Sequence, residues 1–292
     1  MDPSKKILTP VQLTVLIVFF LAVVTFLLLK DQFGMFTPQQ INPADSTVSW
    51  KVPDINELPA GDEKELILYG RDLLNKTCLL VGPMSTDSNM RYAGNNLVCS
   101  NCHFDAGTNM FSYNLVGVTS RYPQYSERDK EMETIQERLN DCMERSMNGK
   151  PLPVDSREMK AMVAYLEFIS KYVPKGYTVN HQGIPAVPPL GRDPNPVQGG
   201  EFYTKYCSTC HGGSGEGAPH DPYVPGQIKY RVPPLWGSDS YNDGAGMSTM
   251  NMAVRFIYHV MPYDDKNSLT LEEAYDIASF INSQPRPEFK KQ

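Results

Sequence analysis

The sequence has no surplus of positive charge: 27 Lys and Arg stand against 33 Asp and Glu, a net charge of −6. A nucleic-acid binder needs a basic face to neutralise phosphates, so no nucleic-acid partner is expected. From Val11 to Leu29 there is no charge, no Gly and no Pro, and only Gln12, Thr14 and Thr25 interrupt the apolar run. A small-residue processing site is also missing after that run, where Leu27-Leu28-Leu29-Lys30-Asp31-Gln32 follows instead. A cleaved signal peptide has a shorter apolar region and an A-x-A-like site, so an uncleaved anchor is the better reading. Nineteen helical residues span ~28 Å, close to the ~30 Å hydrocarbon core. Lys5 and Lys6 precede the run and keep the N-terminus cytoplasmic. Residues 1–31 are thus expected to form a single-pass anchor in the cytoplasmic membrane. The rest of the chain is expected on the periplasmic, extracytoplasmic side.

Six cysteines are present: Cys78, Cys99, Cys102, Cys142, Cys207 and Cys210. A chain of 292 residues is too long to need a disulfide framework. Their spacing says more. Cys99-Ser100-Asn101-Cys102-His103 and Cys207-Ser208-Thr209-Cys210-His211 are both C-x-x-C-H, the attachment signature of c-type haem. A zinc or redox pair is the bland alternative for C-x-x-C, but it does not call for the histidine that follows both times. Two covalently attached haem c groups are expected, with His103 and His211 as proximal ligands.

Chain length suggests about two domains. Residues 32–60 carry Pro38, Pro43, Pro53 and Pro59 and read as a stalk. A first body, 61–173, opens with a helix from near Asp62 through Leu74, burying Leu66, Leu68, Tyr69 and Leu73. It closes with a helix from Arg157 to Ser170 that buries Met162, Val163, Leu166 and Ile169. Residues 174–196 hold Pro174, Pro185, Pro188, Pro189, Pro194 and Pro196 and mark a linker without regular structure. The second body is 197–292. Gly199-Gly200 opens a helix into Cys207. Thr270-Leu271-Glu272-Glu273 is a capping box for a closing helix that buries Leu271, Ala274, Ile277, Ala278 and Ile281. A helix before C-x-x-C-H, a loop region and a closing helix, twice, match the class I cytochrome c fold. The expected architecture is mainly α: two such domains in tandem after one N-terminal transmembrane helix.

The distal ligands separate the two haems. In the second body, Met261-Pro262 sits shortly before the closing helix, where a class I cytochrome c presents its methionine. Met247, Met250 and Met252 compete, although methionine also fills irregular gaps. In the first body, Glu131 to Asn148 reads as one helix ending at Gly149. At about 100° per residue, Ile135, Leu139 and Cys142 share a stripe, and Met143 and Met147 point inward less well. Glu137, Asn140, Asp141 and Glu144 face away. Arg138 and Ser146, four residues on either side, flank Cys142. Periodicity leaves three readings open: Cys142 as a ligand, Cys142 as a small core hydrophobe, or Met147 as the ligand.

Several segments together resemble the thiosulfate dehydrogenase family of dihaem cytochromes c. In the first body these are Gly70-Arg71-Asp72-Leu73-Leu74, Cys99 to Thr108, Arg121-Tyr122-Pro123-Gln124-Tyr125, and Arg138 to Pro153. In the second they are Pro233 to Gly237, Ser240 to Met247, and Met261-Pro262. The resemblance covers about residues 64–284. It implies that Cys142 is the distal thiolate of the first haem, and that Arg128, Arg138 and Ser146 line a substrate pocket. It implies the joining of two thiosulfates into tetrathionate with release of two electrons, which some members run backwards. Electrons would pass from the His/Cys haem to the His/Met haem, then to a small cytochrome c or a membrane-bound respiratory partner. Val260 stands where the family commonly has Asn or Lys, and Cys78 is extra. Two other functions compete: an anchored dihaem electron-transfer subunit without substrate chemistry, and a cytochrome acting on another sulfur substrate.

Overall fold

The computed structural model describes residues 9–33, 47–221 and 224–290, with side chains left out of the description over 27–33. The chain divides into two units, residues 1–45 and 46–292. Lys5, Lys6 and residues 34–46 of the expected stalk lie outside the described residues.

Helix α1 of the first unit runs Pro10–Phe33. Pro10 is pre-set for the first helical position. Thr9 and Gln12 cap each other, with Gln12 N–H donating to Thr9 Oγ1 at 3.4 Å. Thr14 and Thr25 donate to the Pro10 and Leu21 carbonyls at 2.9 and 2.8 Å, so the hydroxyls in the apolar run are satisfied within the helix. Val11, Leu13, Val15, Ile17, Phe19 and Phe20 are exposed. Among the described residues, no helix is long and apolar enough to cross a membrane. The transmembrane span expected over Val11 to Leu29 therefore has no support there. The described side chains of α1 end at Phe26, short of that span's end.

The second unit is mainly helical and holds two bodies. In the first, α2 is Asp62–Asn75, α3 is Ile135–Arg145 and α4 is Arg157–Ile169. Asp62, Glu63 and Glu65 in the first turn of α2 suit the positive end of its dipole. Its buried stripe is Ile67, Gly70, Leu73 and Leu74. Leu73 is buried as expected and Leu66 and Tyr69 are partly buried, while the centre of the stripe shifts to Ile67, Gly70 and Leu74 because α4 packs over Gly70. A β-carbon there would sit 2.0 Å from the Ala161 carbonyl oxygen. Helix α4, capped by Ser156 on the Met159 N–H at 3.1 Å, buries Met159, Ala161, Met162, Tyr165, Leu166, Phe168 and Ile169.

The second body repeats the device with little shared sequence. Its helices are α5, Pro196–Tyr206, α6, Met250–Val260, and α7, Leu271–Ser283. Asn195 caps α5 through the Val197 N–H at 3.0 Å, with Pro196 in the first turn. The capping box on α7 forms as expected: Glu273 N–H donates to Thr270 Oγ1 at 3.2 Å and Thr270 N–H to Glu273 Oε2 at 2.9 Å. Where α5 crosses α7, a β-carbon on Gly199 would sit 1.9 Å from the Asp276 carbonyl oxygen.

Three expectations about connecting segments change. Val48, Trp50, Val52, Ile55 and Leu58, assigned to the stalk, pack against the core of the first body. Within the linker, Thr178–Val179 pairs in parallel with Thr47–Val48. The helix expected from Glu131 starts only at Ile135, because Glu131–Glu133 pairs antiparallel with Gln124–Ser126. Thr134 then caps α3, with Glu137 N–H on its Oγ1 at 3.2 Å.

Buried polar contacts join the two bodies. Asn95 Nδ2 donates to the Ser146 and Ser240 carbonyls at 3.0 and 3.1 Å. Asn242 Nδ2 donates to the Glu144 carbonyl at 2.8 Å. Asp239 accepts from Asn96 N–H at 2.9 Å, Lys229 Nζ at 2.7 Å and Tyr230 Oη at 2.7 Å. Burial alone raises the Asp239 pKa, but these donors more than offset it and leave it below the usual carboxylate value.

Gly199→Ala should destabilise the second body by about 1–3 kcal/mol through overpacking, read as a lower denaturant midpoint. An unchanged midpoint would mean the helices are not that close. Asp239→Asn should cost about 1.5–3 kcal/mol at pH 7, the range for hydrogen bonds to a charged group. Because the folded pKa is depressed, the Asp239 contribution is complete above about pH 4 and is lost as pH falls through the folded value. Denaturation of both forms from pH 7 to 3 should show the gap closing at low pH, and a pH-independent gap would refute the account.

Candidate functional site

Each C-x-x-C-H segment is a single turn following the opening of its body. The His103 N–H donates to the Cys99 carbonyl at 3.0 Å, and the His211 N–H to the Cys207 carbonyl at 2.9 Å. His103 Nδ1 donates to the Tyr113 carbonyl. His211 Nδ1 lies 2.9 Å from the Pro233 carbonyl. A carbonyl can only accept, so both rings carry the proton on Nδ1 and present a bare Nε2. Burial lowers the pKa of both histidines and favours that neutral ligand form. Two thiols followed by an imidazole with a free Nε2 fit a covalently attached haem, and the carbonyl partner fixes the ring. After His103 the chain holds Asp105 at φ +55° and Ala106 at φ +53°, left-handed conformations uncommon outside Gly. Tyr165 Oη steadies this turn by donating to the Ala106 carbonyl at 3.0 Å.

Helix α3 brings Cys142 to the same place. Its thiol is half-buried. The charge state of Cys142 bears on both Cys99 and Cys102, and Arg138 bears on both Cys142 and His103. Burial raises the Cys142 pKa while the Arg138 guanidinium opposes it. In return, Cys142 is the largest influence raising the Arg138 pKa. Three sulfurs, one imidazole and one guanidinium therefore share a field.

Met143 and Met147, expected to point inward less well, are buried in the core of the first body at 1% and 3% exposure. Rotations of about 100° and 140° around α3 separate these two from Cys142. Ser146 forms the C-cap of α3, its N–H on the Cys142 carbonyl and its own carbonyl held by Asn95. Arg128 stands on the hairpin turn, with Nη2 2.5 Å from Asp141 Oδ2. Arg138 Nη1 meets the same oxygen at 2.9 Å.

Asp141, expected to face away, is instead only 16% exposed and pairs with both arginines. The signal was present, since Arg138, Asp141 and Arg145 have helix-neighbour spacing. Arg121, although exposed, lies near enough to Arg138 for the two charges to interact, which places a further guanidinium by the cluster.

In the second body, Met261 caps the end of α6. It packs with Ile184, Phe256, Val260 and Met247, and with Phe104 and Tyr113 from the first body. Phe104 directly follows His103, so Met261 lies between the bodies. The Met252 sulfur accepts from Tyr113 Oη at 3.6 Å, and Met250 packs in the core of the second body. Cys78 is fully buried.

Two helical bodies, each presenting a C-x-x-C-H turn with an oriented histidine, define a dihaem c-type cytochrome with two covalently bound haem c groups. Residues 90–174 match the SoxA/TsdA cytochrome c domain, and residues 194–281 match cytochrome c oxidase, cbb3-type, subunit III. The chain is 38% identical over 249 residues to thiosulfate dehydrogenase of Allochromatium vinosum, covering 84% of this chain and 87% of that one. It is 36% identical to thiosulfate dehydrogenase of Thiomonas intermedia, covering 85% and 75%. A solved structure, thiosulfate dehydrogenase (TsdBA) from Marichromatium purpuratum in its "as isolated" form, superposes with a TM-score of 0.73 at 30% identity. That match covers 86% of this chain and about half, 52%, of the solved one. The chain belongs to the thiosulfate dehydrogenase family.

Proposed function

We propose that this cytochrome interconverts two thiosulfates with tetrathionate and two electrons at a first haem held by His103 and Cys142. The electrons leave through a second haem, held by His211 and Met261, to a small cytochrome c or a membrane-bound respiratory partner. Helix α1 anchors the chain to the cytoplasmic membrane, with both cytochrome domains on the extracytoplasmic side. The convergence of Arg128 and Arg138 on Asp141, the residue before Cys142 on α3, carries the catalytic reading. The exposed apolar side chains along α1 support the anchor.

Thiosulfate is a dianion, and two of them repel. Arg138 and Arg128 can bind sulfonate oxygens through a planar fork and reduce that repulsion. Ser146 adds a hydroxyl donor beside them. The Cys142 thiolate bonds to the sulfane sulfur of one thiosulfate, giving Cys–S–S–SO3⁻ and two electrons. The second thiosulfate attacks that sulfane sulfur, forms the central S–S bond of tetrathionate and displaces the Cys142 thiolate. Splitting one hard step into two is the benefit of a covalent intermediate. When bound, the two haems supply one-electron redox chemistry, and thiolate ligation sets the first at a lower potential than the methionine-ligated second.

The match of the second body to an oxidase subunit keeps a pure electron-transfer role in view, but that role leaves Cys142 and its arginines without a task. Cys142→Ala should remove the thiolate signature of a low-spin haem and cut thiosulfate-dependent haem reduction at least about a hundredfold. Full retention of reduction would reject a catalytic Cys142. Arg138→Ala should weaken turnover with haem content intact. Met261→Ala should lower the potential of the second haem, and an unchanged potential would move the ligand to Met247 or Met252.

A further inference from the structure

We propose that Asp141 is the positioning residue of the site: its carboxylate sets where Arg128 and Arg138 present their remaining N–H groups to a sulfur oxyanion. This rests on the thiosulfate reading above and assigns a role to a residue that reading does not use.

Three guanidinium groups converge on this carboxylate. Arg128 Nη2 and Arg138 Nη1 share Oδ2 at 2.5 and 2.9 Å, and Arg145 Nε takes Oδ1 at 2.5 Å. The arginines do not come from one element. Arg128 stands on the turn between the strands Gln124–Ser126 and Glu131–Glu133, whereas Arg138 and Arg145 are on α3. Asp141 therefore fastens the hairpin to the helix at the point where both supply cations.

Among the described residues, Asp141 is the hydrogen-bond partner of the Arg138 guanidinium. Arg128 has one other, Asp129, at a longer 3.4 Å. Both arginines are 41% exposed, so little else confines them, while Asp141 is only 16% exposed. A long, flexible side chain held in its binding geometry loses less freedom when the ligand arrives. Arg138 uses Nη1 alone on Asp141, which leaves its Nε and Nη2 edge for fork-like recognition of a sulfonate.

The carboxylate itself is held from the far side. Arg145 spans the boundary between the bodies: its guanidinium lies 4.1 Å from the centre of the Phe289 ring, and Nη1 donates to the Gly244 carbonyl at 3.4 Å. The Arg145 carbonyl accepts from Asn242 N–H at 3.2 Å. Asp141 thus transmits a fixed frame, set by the second body, to two half-exposed cations. The competing account is that Asp141 merely occupies the arginines and must be displaced, in which case its loss would tighten substrate binding.

Asp141→Asn and Asp141→Glu in the haem-loaded full-length protein separate these accounts. Asp141→Asn should raise KM for thiosulfate about tenfold while kcat changes less than about threefold, and Asp141→Glu should recover most of the loss. An unchanged or lower KM overturns the proposal. Labelling with phenylglyoxal, followed by peptide mass spectrometry, reads the arginines without turnover. Arg128 and Arg138 should react several-fold faster in Asp141→Asn than in the parent, and equal rates overturn the proposal. If the parent protein shows no thiosulfate turnover, the reaction assignment fails, and the labelling alone decides the role of Asp141. An Asp141→Asn protein that loses haem and labels faster at arginines throughout the chain marks a general structural role and also overturns it.

Discussion

Both cytochrome bodies depend on a helix crossing that has no room for a β-carbon. Gly70 lets α2 lie on α4, and Gly199 lets α5 lie on α7. Close approach at these points buries the apolar faces of both closing helices. It also aims the chain that leaves the opening helix toward the interior. In the second body Cys207 follows Tyr206 directly, so the cysteines and His211 inherit their position from α5. In the first body the short turn Thr77–Leu80 intervenes, and Thr77 compensates by accepting from the Cys99 N–H at 3.2 Å.

The boundary between the bodies combines polar groups that have specific partners with apolar packing, in which Tyr241 and Ala245 join the core of the first body. Asn95, Asp239 and Asn242 each bond across it. Such groups are expensive to bury alone, so the arrangement tolerates one relative placement and penalises others. An aromatic patch lies at the same boundary. Phe104 meets Phe256 with ring centres 5.8 Å apart, and Tyr113 stacks on Phe256 at 5.6 Å. Tyr113 holds His103 through its carbonyl and the Met252 carbonyl through its hydroxyl at 2.7 Å. The His103 ring is therefore supported by a residue that also grips the second body.

Much of the fold was legible. The C-x-x-C-H turns, α4 and the capping box at Thr270 are local signals, each carried by fewer than twenty consecutive residues. The reading slipped where a partner distant in sequence overrides local periodicity. Residues 131–133 have a helical look but pair with 124–126. Met143 outranks Cys142 in burial because the core lies on that side of α3. Val48, Trp50 and Leu58 looked like stalk residues because nothing near them in sequence shows the surface they cover.

By itself the sequence determined the two C-x-x-C-H segments, with a histidine following each cysteine pair, and that Arg138, Asp141, Cys142 and Ser146 fall on neighbouring turns of one helix. Those are consequences of bonding order and of a 3.6-residue period, which need no distant contact. Only the tertiary structure decided that Arg128 swings in from a hairpin to share a carboxylate with Arg138, and that Arg145 fastens that carboxylate to the second body. Such choices are made by long-range packing, because a helix face has no meaning until another surface covers or leaves it.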